Sequence, residues 1–263
     1  MIRAERAGDL SLIWIDRPAR RNALTLAMVE GLRDALLRAG DDASVRGVIL
    51  AGVPPSTCAG VDLAEFAAGT PERVRLLIDG LGDACAAARR CPKPVAMAIQ
   101  GHCFGGALEL ACACDFRVAA PGSLLAMPEV ALGIPSVIDA ALIERHVGAG
   151  RARELILTAE PITAEGALAW GLVNRVAPEA RLLDVCRDLV GAVTRHDAAA
   201  IRRQKQLFSD WDNLPLDEAI ERSKEALTAS FAAGVPQRLA QERLKKTMVP
   251  PTPTLRQGGG SSA

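Results

Sequence analysis

The sequence predicts an α/β protein, with a core of parallel strands joined by helical crossovers and a helical C-terminal region after it. Three observations carry this expectation. Short apolar runs bounded by glycine or proline alternate with longer stretches of helical spacing over the first two thirds of the chain, the pattern of buried parallel strands and their crossovers. From about Pro178 onward the strand signal fades, and amphipathic patterns such as IRRQKQLF, LDEAIERSKEALTASF and RLAQERLKK take over. At 263 residues the chain is long enough to bury one substantial core and carry a smaller appended unit.

Taken in order, LSLIWID (10–16) reads as a short apolar strand, followed by the arginine-rich loop RPARRNA. Thr25 fits an N-cap; Leu26, Val29, Leu32 and Leu36 then recur at helical spacing, and Gly40 is expected to close that helix. GVILAG (47–52) is continuous and apolar, so it reads as a buried strand. Helical stretches around 71–90 lead to a proline-bounded strand, VAMAI (95–99), a helix around 105–113 and a further strand, FRVAA. The expected division is an α/β core over residues 1–195, a helical region over 196–249, and a flexible tail over 250–263, rich in proline, glycine and serine.

Charge and composition exclude several classes of partner. Basic and acidic residues balance at 31 each, so nothing in the charge points to nucleic acid or an anionic membrane. No apolar run approaches the roughly 18 residues of a membrane span, and MIRAERAGDL lacks the apolar stretch of a signal peptide. A soluble, cytoplasmic protein is expected. The seven cysteines are odd in number, lack C-x-x-C spacing and mostly sit among alanine and leucine, as small buried hydrophobes do. With three scattered histidines, no metal site is expected.

Three segments carry candidate chemistry. In IQGHCFGGALELACAC (99–114) a strand ends, Gly105 and Gly106 stand where a helix begins, and Glu109 follows three positions later. Helix N-termini leave N–H groups without acceptors, and glycine lets a ligand approach them, which makes an anion or oxyanion site. The spacing matches neither a P-loop nor G-x-G-x-x-G. Close helix packing, with Glu109 as an ordinary first-turn acid, is the simpler alternative. STCAGVDL places Ala59 and Gly60 in a second strand-to-helix turn that offers another N–H, or simply a helix start capped by Asp62. AMPEVALGIP sets Glu129 among Met127, Val130 and Leu132. A carboxylate buried there would be pushed towards its neutral form, as suits a proton carrier, whereas one at a loop edge would simply be solvated.

Read together and in this order, the segments resemble the enoyl-CoA hydratase/isomerase (crotonase) superfamily. RPARRNAL resembles the family's R-P-x-x-x-N-A-L motif, CAGVDL its S/A-A-G-A-D-L turn, GHCFGGALEL its G-x-x-x-G-G-G-x-E-L segment, and MPEVALGIP its P-E-x-x-x-G-[IL]-x-P segment. The resemblance implies a right-handed spiral of ββα turns with a helical C-terminal region, in trimers or dimers of trimers. It implies an oxyanion hole from the N–H groups of Ala59 and Gly106 for the carbonyl of a CoA thioester. It further implies that Glu109 deprotonates a water attacking C3 while Glu129 protonates C2, with coenzyme A as part of the substrate and no separate cofactor. Both glutamates favour hydration over double-bond isomerisation, because hydration uses two carboxylates. Isomerase, a related acyl-CoA lyase, and a CoA-thioester-binding paralogue without catalysis are the alternatives.

For the CoA phosphates the resemblance offers Arg20 and Arg21, with Gly60, Val61, Asp62 and Leu63 bordering the adenine and Lys245 and Lys246 contributing from the C-terminal helix. His102 reads as a residue of the helix start, and LLIDGLGDACAAARR as a wall of the acyl pocket. The chain departs from the family at Ala107, at LAMPE, by one residue before Pro135, and at SVIDAA, which replaces a glycine cluster. There Asp139 reads more readily as a solvated helix-start acid than as a substrate-facing group.

Overall fold

The structure is a computed structural model that describes residues 1–247, with side chains to Lys245. Residues 250–263, expected to form a flexible tail, lie outside the described residues, as does the side chain of Lys246. In chain order the elements are β1 (Ile2–Ala7), β2 (Leu10–Ile15), α1 (Leu26–Asp41), β3 (Gly47–Gly52), α2 (Leu63–Ala67), α3 (Pro71–Arg90), β4 (Val95–Ile99) and β5 (His102–Phe104). They continue with α4 (Gly106–Ala113), β6 (Phe116–Ala119), β7 (Leu124–Ala126), α5 (Ala140–Val147), α6 (Ala149–Thr158), β8 (Ile162–Thr163), α7 (Ala164–Trp170), β9 (Arg175–Val176) and α8 (Leu182–Thr194). Three helices follow, α9 (Ala198–Asn213), α10 (Leu216–Ala232) and α11 (Val235–Thr247). The chain forms two compact units that divide between Ser209 and Asp210.

In the first unit the strands form two sheets, ordered β1-β2-β3-β4-β6-β9 and β5-β7-β8. β1 and β2 make an antiparallel hairpin, and from β2 to β9 every pairing in the larger sheet is parallel. The chain passes from β4 directly to β5 in the other sheet and then into α4, and from β6 to β7 before turning helical, so the repeated unit is ββα. β3 and β4 are buried at every residue, which is why they read as continuous apolar runs. One face of the larger sheet packs against α1, α3 and α4 through Leu32, Leu36, Leu81, Leu108 and Met97. The other face packs against α8 through Ile49, Val118, Leu182 and Val190. All seven cysteines are buried as free thiols within these layers.

Two local expectations change. Gly40 does not close α1, which runs on to Asp41, because the bare Cα of Gly40 makes room for the Pro92 ring, 3.3 Å from where a Cβ would stand. Thr25 is the N-cap residue of α1, yet its side chain makes no capping hydrogen bond. In the second unit α10 and α11 pack together, and Trp211, Leu216, Leu227 and Phe231 are exposed. No helix among the described residues is long and apolar enough to cross a membrane.

Candidate active site

The site forms where two strand-to-helix turns run side by side. Cys58 and Cys103 make an isolated parallel bridge, with Cys58 N–H donating to the His102 carbonyl at 2.9 Å and Phe104 N–H to the Cys58 carbonyl at 3.2 Å. Next along, Gly60 (φ +93) passes so close that a methyl group on it would lie 2.9 Å from the Phe104 carbonyl oxygen. That contact needs glycine.

The oxyanion assignment shifts within this turn. The Ala59 N–H is already engaged, donating to the Arg21 carbonyl at 3.0 Å, so Ala59 does not supply a free donor. Leu24 and Val61 then pair as a parallel bridge, with Leu24 N–H donating to Gly60 O and Asp62 N–H to Leu24 O, each at 2.8 Å. In such a bridge the middle residue turns its own amide away from its partner. Val61 N–H therefore has no acceptor among the described residues, and it replaces Ala59 as the candidate donor. Gly106 N–H, at the first position of α4, is likewise without an acceptor there, whereas the Gly105 N–H is used by the Ala126 carbonyl at 2.9 Å. A Cβ on Gly106 would stand 2.4 Å from Leu81 Cδ2 of α3, so a larger residue there would displace Leu81.

Glu109 stands in the first turn of α4, a helix buried at every residue, and its Oε1 accepts from Ala140 N–H at 3.0 Å. Burial, with the nearby charge of Glu129 adding to it, pushes its carboxyl up to about 8, against the opposing pull of the Ala140 N–H. Glu129 opens a 3-10 turn, Glu129–Leu132, and burial raises its carboxyl too, while its own N–H and the Ser136 hydroxyl pull it back. Ser136 Oγ donates to Glu129 Oε2 at 3.2 Å. A methyl group on Gly105 (φ +53) would lie 2.5 Å from Glu129 Oε1, so the glycine pair also makes room for the second carboxylate. The structure thus places Gly106, Glu109 and Glu129 near one another, with Val61, Ser136 and Ala140 beside them.

The other predicted residues divide. Asp62 is not available to a ligand through its side chain, because its carboxylate caps α2 at the N–H groups of Ala64 and Glu65 and pairs with Arg17. Gly60 is buried against Phe104, Val61 is half-buried and Leu63 is exposed. Arg20 and Arg21 are exposed on the loop, which buried Asn22 ties down by donating to the Val53 and Ser56 carbonyls and accepting from Arg17 N–H. Arg21 lies near enough to His102 to lower that ring's proton affinity, although burial is the larger cause. His102 belongs to β5 and shares a hydrogen bond of 3.0 Å with buried Ser56, so it is held as a strand residue. Lys245 is exposed on α11 in the second unit. Asp139 lies at the start of α5, as read from the sequence, but it is buried and ion-paired with Arg89, not solvated. Among the described residues no group of three or more His, Cys, Asp or Glu side chains is arranged to hold a metal ion.

The sequence model of the family described as enoyl-CoA hydratase/isomerase matches residues 5–240. The chain belongs to this family. It is 32% identical to the crotonyl-CoA hydratase of Syntrophomonas wolfei over 87% of this chain and 88% of that protein. It is 36% identical to a probable enoyl-CoA hydratase, echA6, of Mycobacterium bovis over 85% of this chain and 86% of the relative. The crystal structure of an enoyl-CoA hydratase from Bacillus anthracis superposes with a TM-score of 0.85 at 31% identity, covering 95% of this chain and 98% of that one. The crotonase fold accounts for the two sheets and their ββα repeat.

Proposed function

We propose that the chain is an enoyl-CoA hydratase that adds water across the 2,3 double bond of an acyl-CoA thioester. One observation carries this reading: two carboxylates with raised proton affinity stand beside two strand-to-helix turns whose Val61 and Gly106 N–H groups have no acceptor among the described residues. In water addition, the hydroxide portion goes to C3 and a proton to C2, while charge accumulates on the thioester oxygen. Glu109, ionised, takes the proton from water; Glu129, protonated, delivers one to C2; the two N–H groups receive the developing oxyanion. Two carboxylates sharing an apolar wall do not readily ionise together, so the pair tends to keep one proton; because Glu109 has the higher affinity, the reactive form with Glu109 ionised grows as the pH rises towards about 8.

Coenzyme A enters as part of the substrate, and the scheme uses no other cofactor. Exposed Arg20 and Arg21 are the candidates for its phosphates, with the backbone from Gly60 to Leu63 beside its adenine. The exposed Trp211, Leu216, Leu227 and Phe231 support assembly as a trimer or dimer of trimers, since apolar side chains clustered on a helical unit mark a contact surface. Seven unbridged, buried thiols support the cytoplasm as the location.

The test follows the loss of crotonyl-CoA absorbance with wild type, Glu109→Gln and Glu129→Gln. Wild type is expected to hydrate the substrate, and each variant to lose about 10²-fold to 10⁴-fold in kcat. An inert wild type on short, long and aromatic enoyl-CoAs would overturn the reading. Conversion of a 3-enoyl-CoA to the 2-enoyl isomer faster than hydration would make the chain an isomerase instead.

A further inference from the structure

The segment from Ser136 to Ala140 touches both carboxylates from outside the turns that carry them. Ser136 reaches Glu129, and four residues later the Ala140 N–H reaches Glu109 Oε1 at 3.0 Å, with the Val137 carbonyl as a second acceptor at 3.2 Å. Between them Ile138 has φ +55. A β-branched residue rarely adopts that left-handed conformation, and it persists only where its surroundings impose it. Here the surroundings are α3. Asp139 is 8% exposed and ion-pairs with Arg89 in the last turn of α3. About two turns earlier, a methyl of Ile138 packs against Gly82, 3.6 Å from where a Cβ would stand. Ala140 is the first residue of α5, so its N–H has no intrahelical acceptor and is free to point at Glu109.

We propose that Arg89 and Asp139 are positioning residues for the reaction: their ion pair clamps the strained turn before α5 and so delivers the Ala140 N–H to the Glu109 carboxylate. The proposal rests on Glu109 being the proton acceptor described above. Arg89→Met takes this partner from the buried Asp139 carboxylate, and Asp139→Asn removes the charge that Arg89 holds; either lets Ile138 relax towards negative φ, which withdraws the donor. The ionised carboxylate then loses stabilisation. Glu129, Cys85 on α3 and Cys112 on α4 also face Glu109, and none of the three is substituted in the variants that break the clamp.

The experiment compares Asp139→Asn, Arg89→Met and the conservative Arg89→Lys in the full chain. Carboxyl NMR without substrate follows the Glu109 titration, with its signal assigned by its absence in Glu109→Gln. Kinetics with crotonyl-CoA give kcat and KM against pH. Asp139→Asn and Arg89→Met are expected to raise the Glu109 midpoint by roughly one pH unit. Their kcat falls about tenfold near pH 7 and recovers at alkaline pH, with KM nearly constant; Arg89→Lys lies between them and wild type. An unmoved midpoint in folded variants, or a kcat loss equal at every pH, would overturn the clamp. Should Arg89→Met not fold, Asp139→Asn and Arg89→Lys decide by the same midpoint. Should the wild type prove inert on enoyl-CoAs, the hydratase reading fails while the NMR midpoint still judges the clamp.

Discussion

Glu109 and Glu129 are the same residue type on opposite kinds of scaffold. Glu109 stands on α4, buried along its whole length, and one backbone N–H is its hydrogen-bond donor. Glu129 stands at the head of a 3-10 turn whose next residues, Val130 to Leu132, are exposed, and a side-chain hydroxyl holds it. Burial raises both, but only Glu109 is pushed as far as about 8, and part of that push is the charge of its partner. A rigid apolar wall sets proton affinity strongly, and a loop with hydrogen bonds sets it gently. Two like groups are thereby made unlike, which lets one accept a proton while the other gives one.

The severest way to break this contrast is to remove the space that holds Glu129 beside Glu109. Gly105→Ala forces a Cβ to within 2.5 Å of Glu129 Oε1 at a φ of +53, so the carboxylate must move. Displacement of about 1 Å is expected to cost about 10² in kcat for crotonyl-CoA, measured beside a thermal melt that reports the backbone strain separately. An unchanged kcat would mean that Glu129 does not act from its present position.

A second route sharpens the contrast through stability. Because Glu109 goes from an ordinary 4.5 to about 8, the folded chain binds the extra proton between those values. The stabilisation from holding it is complete below 4.5 and is lost as the pH rises through 8. Glu109→Gln never acquires the buried charge. Its Tm is expected to match wild type near pH 5 and to exceed it by several degrees at pH 9. Parallel melting curves at the two pH values would remove the wall from the account.

The smallest effect should come from Ser136→Ala. Loss of the hydroxyl on Glu129 Oε2 removes a donor to the ionised form, so the Glu129 limb of the kcat profile moves to higher pH. A change of a few-fold in kcat is expected, because a loop carboxylate can be resolvated. A loss as large as that of Gly105→Ala would show the loop to be as rigid as α4.

What the sequence made legible follows the range of the interactions. β3, β4, α3 and α4 are readable because their signals are local: continuous apolar runs, a proline at the start of α3, a glycine before α4. β5, β7 and β8 span two or three residues each, too short for any periodicity. Gly106 and Glu109 are visible because helical spacing fixes their relation. Ala59 is misread because the choice between its amide and that of Val61 depends on strand pairing with Arg21 and Leu24, far back in the chain. Arg89 and Asp139 are 50 positions apart, and only the packing of α3 against α5's start brings them together.

The buried thiols impose a further property on the molecule. Burial drives Cys58 and Cys112 to about 12 and Cys85 well above the usual thiol value, and the charge of nearby Glu109 adds to the push on Cys85 and Cys112. Oxidants and alkylating agents attack the thiolate, which these sulfurs form only when the layers around them part. Chemical modification of the two thiols beside Glu109 therefore requires α3 and α4 to part, so labelling of Cys85 and Cys112 would report that local opening.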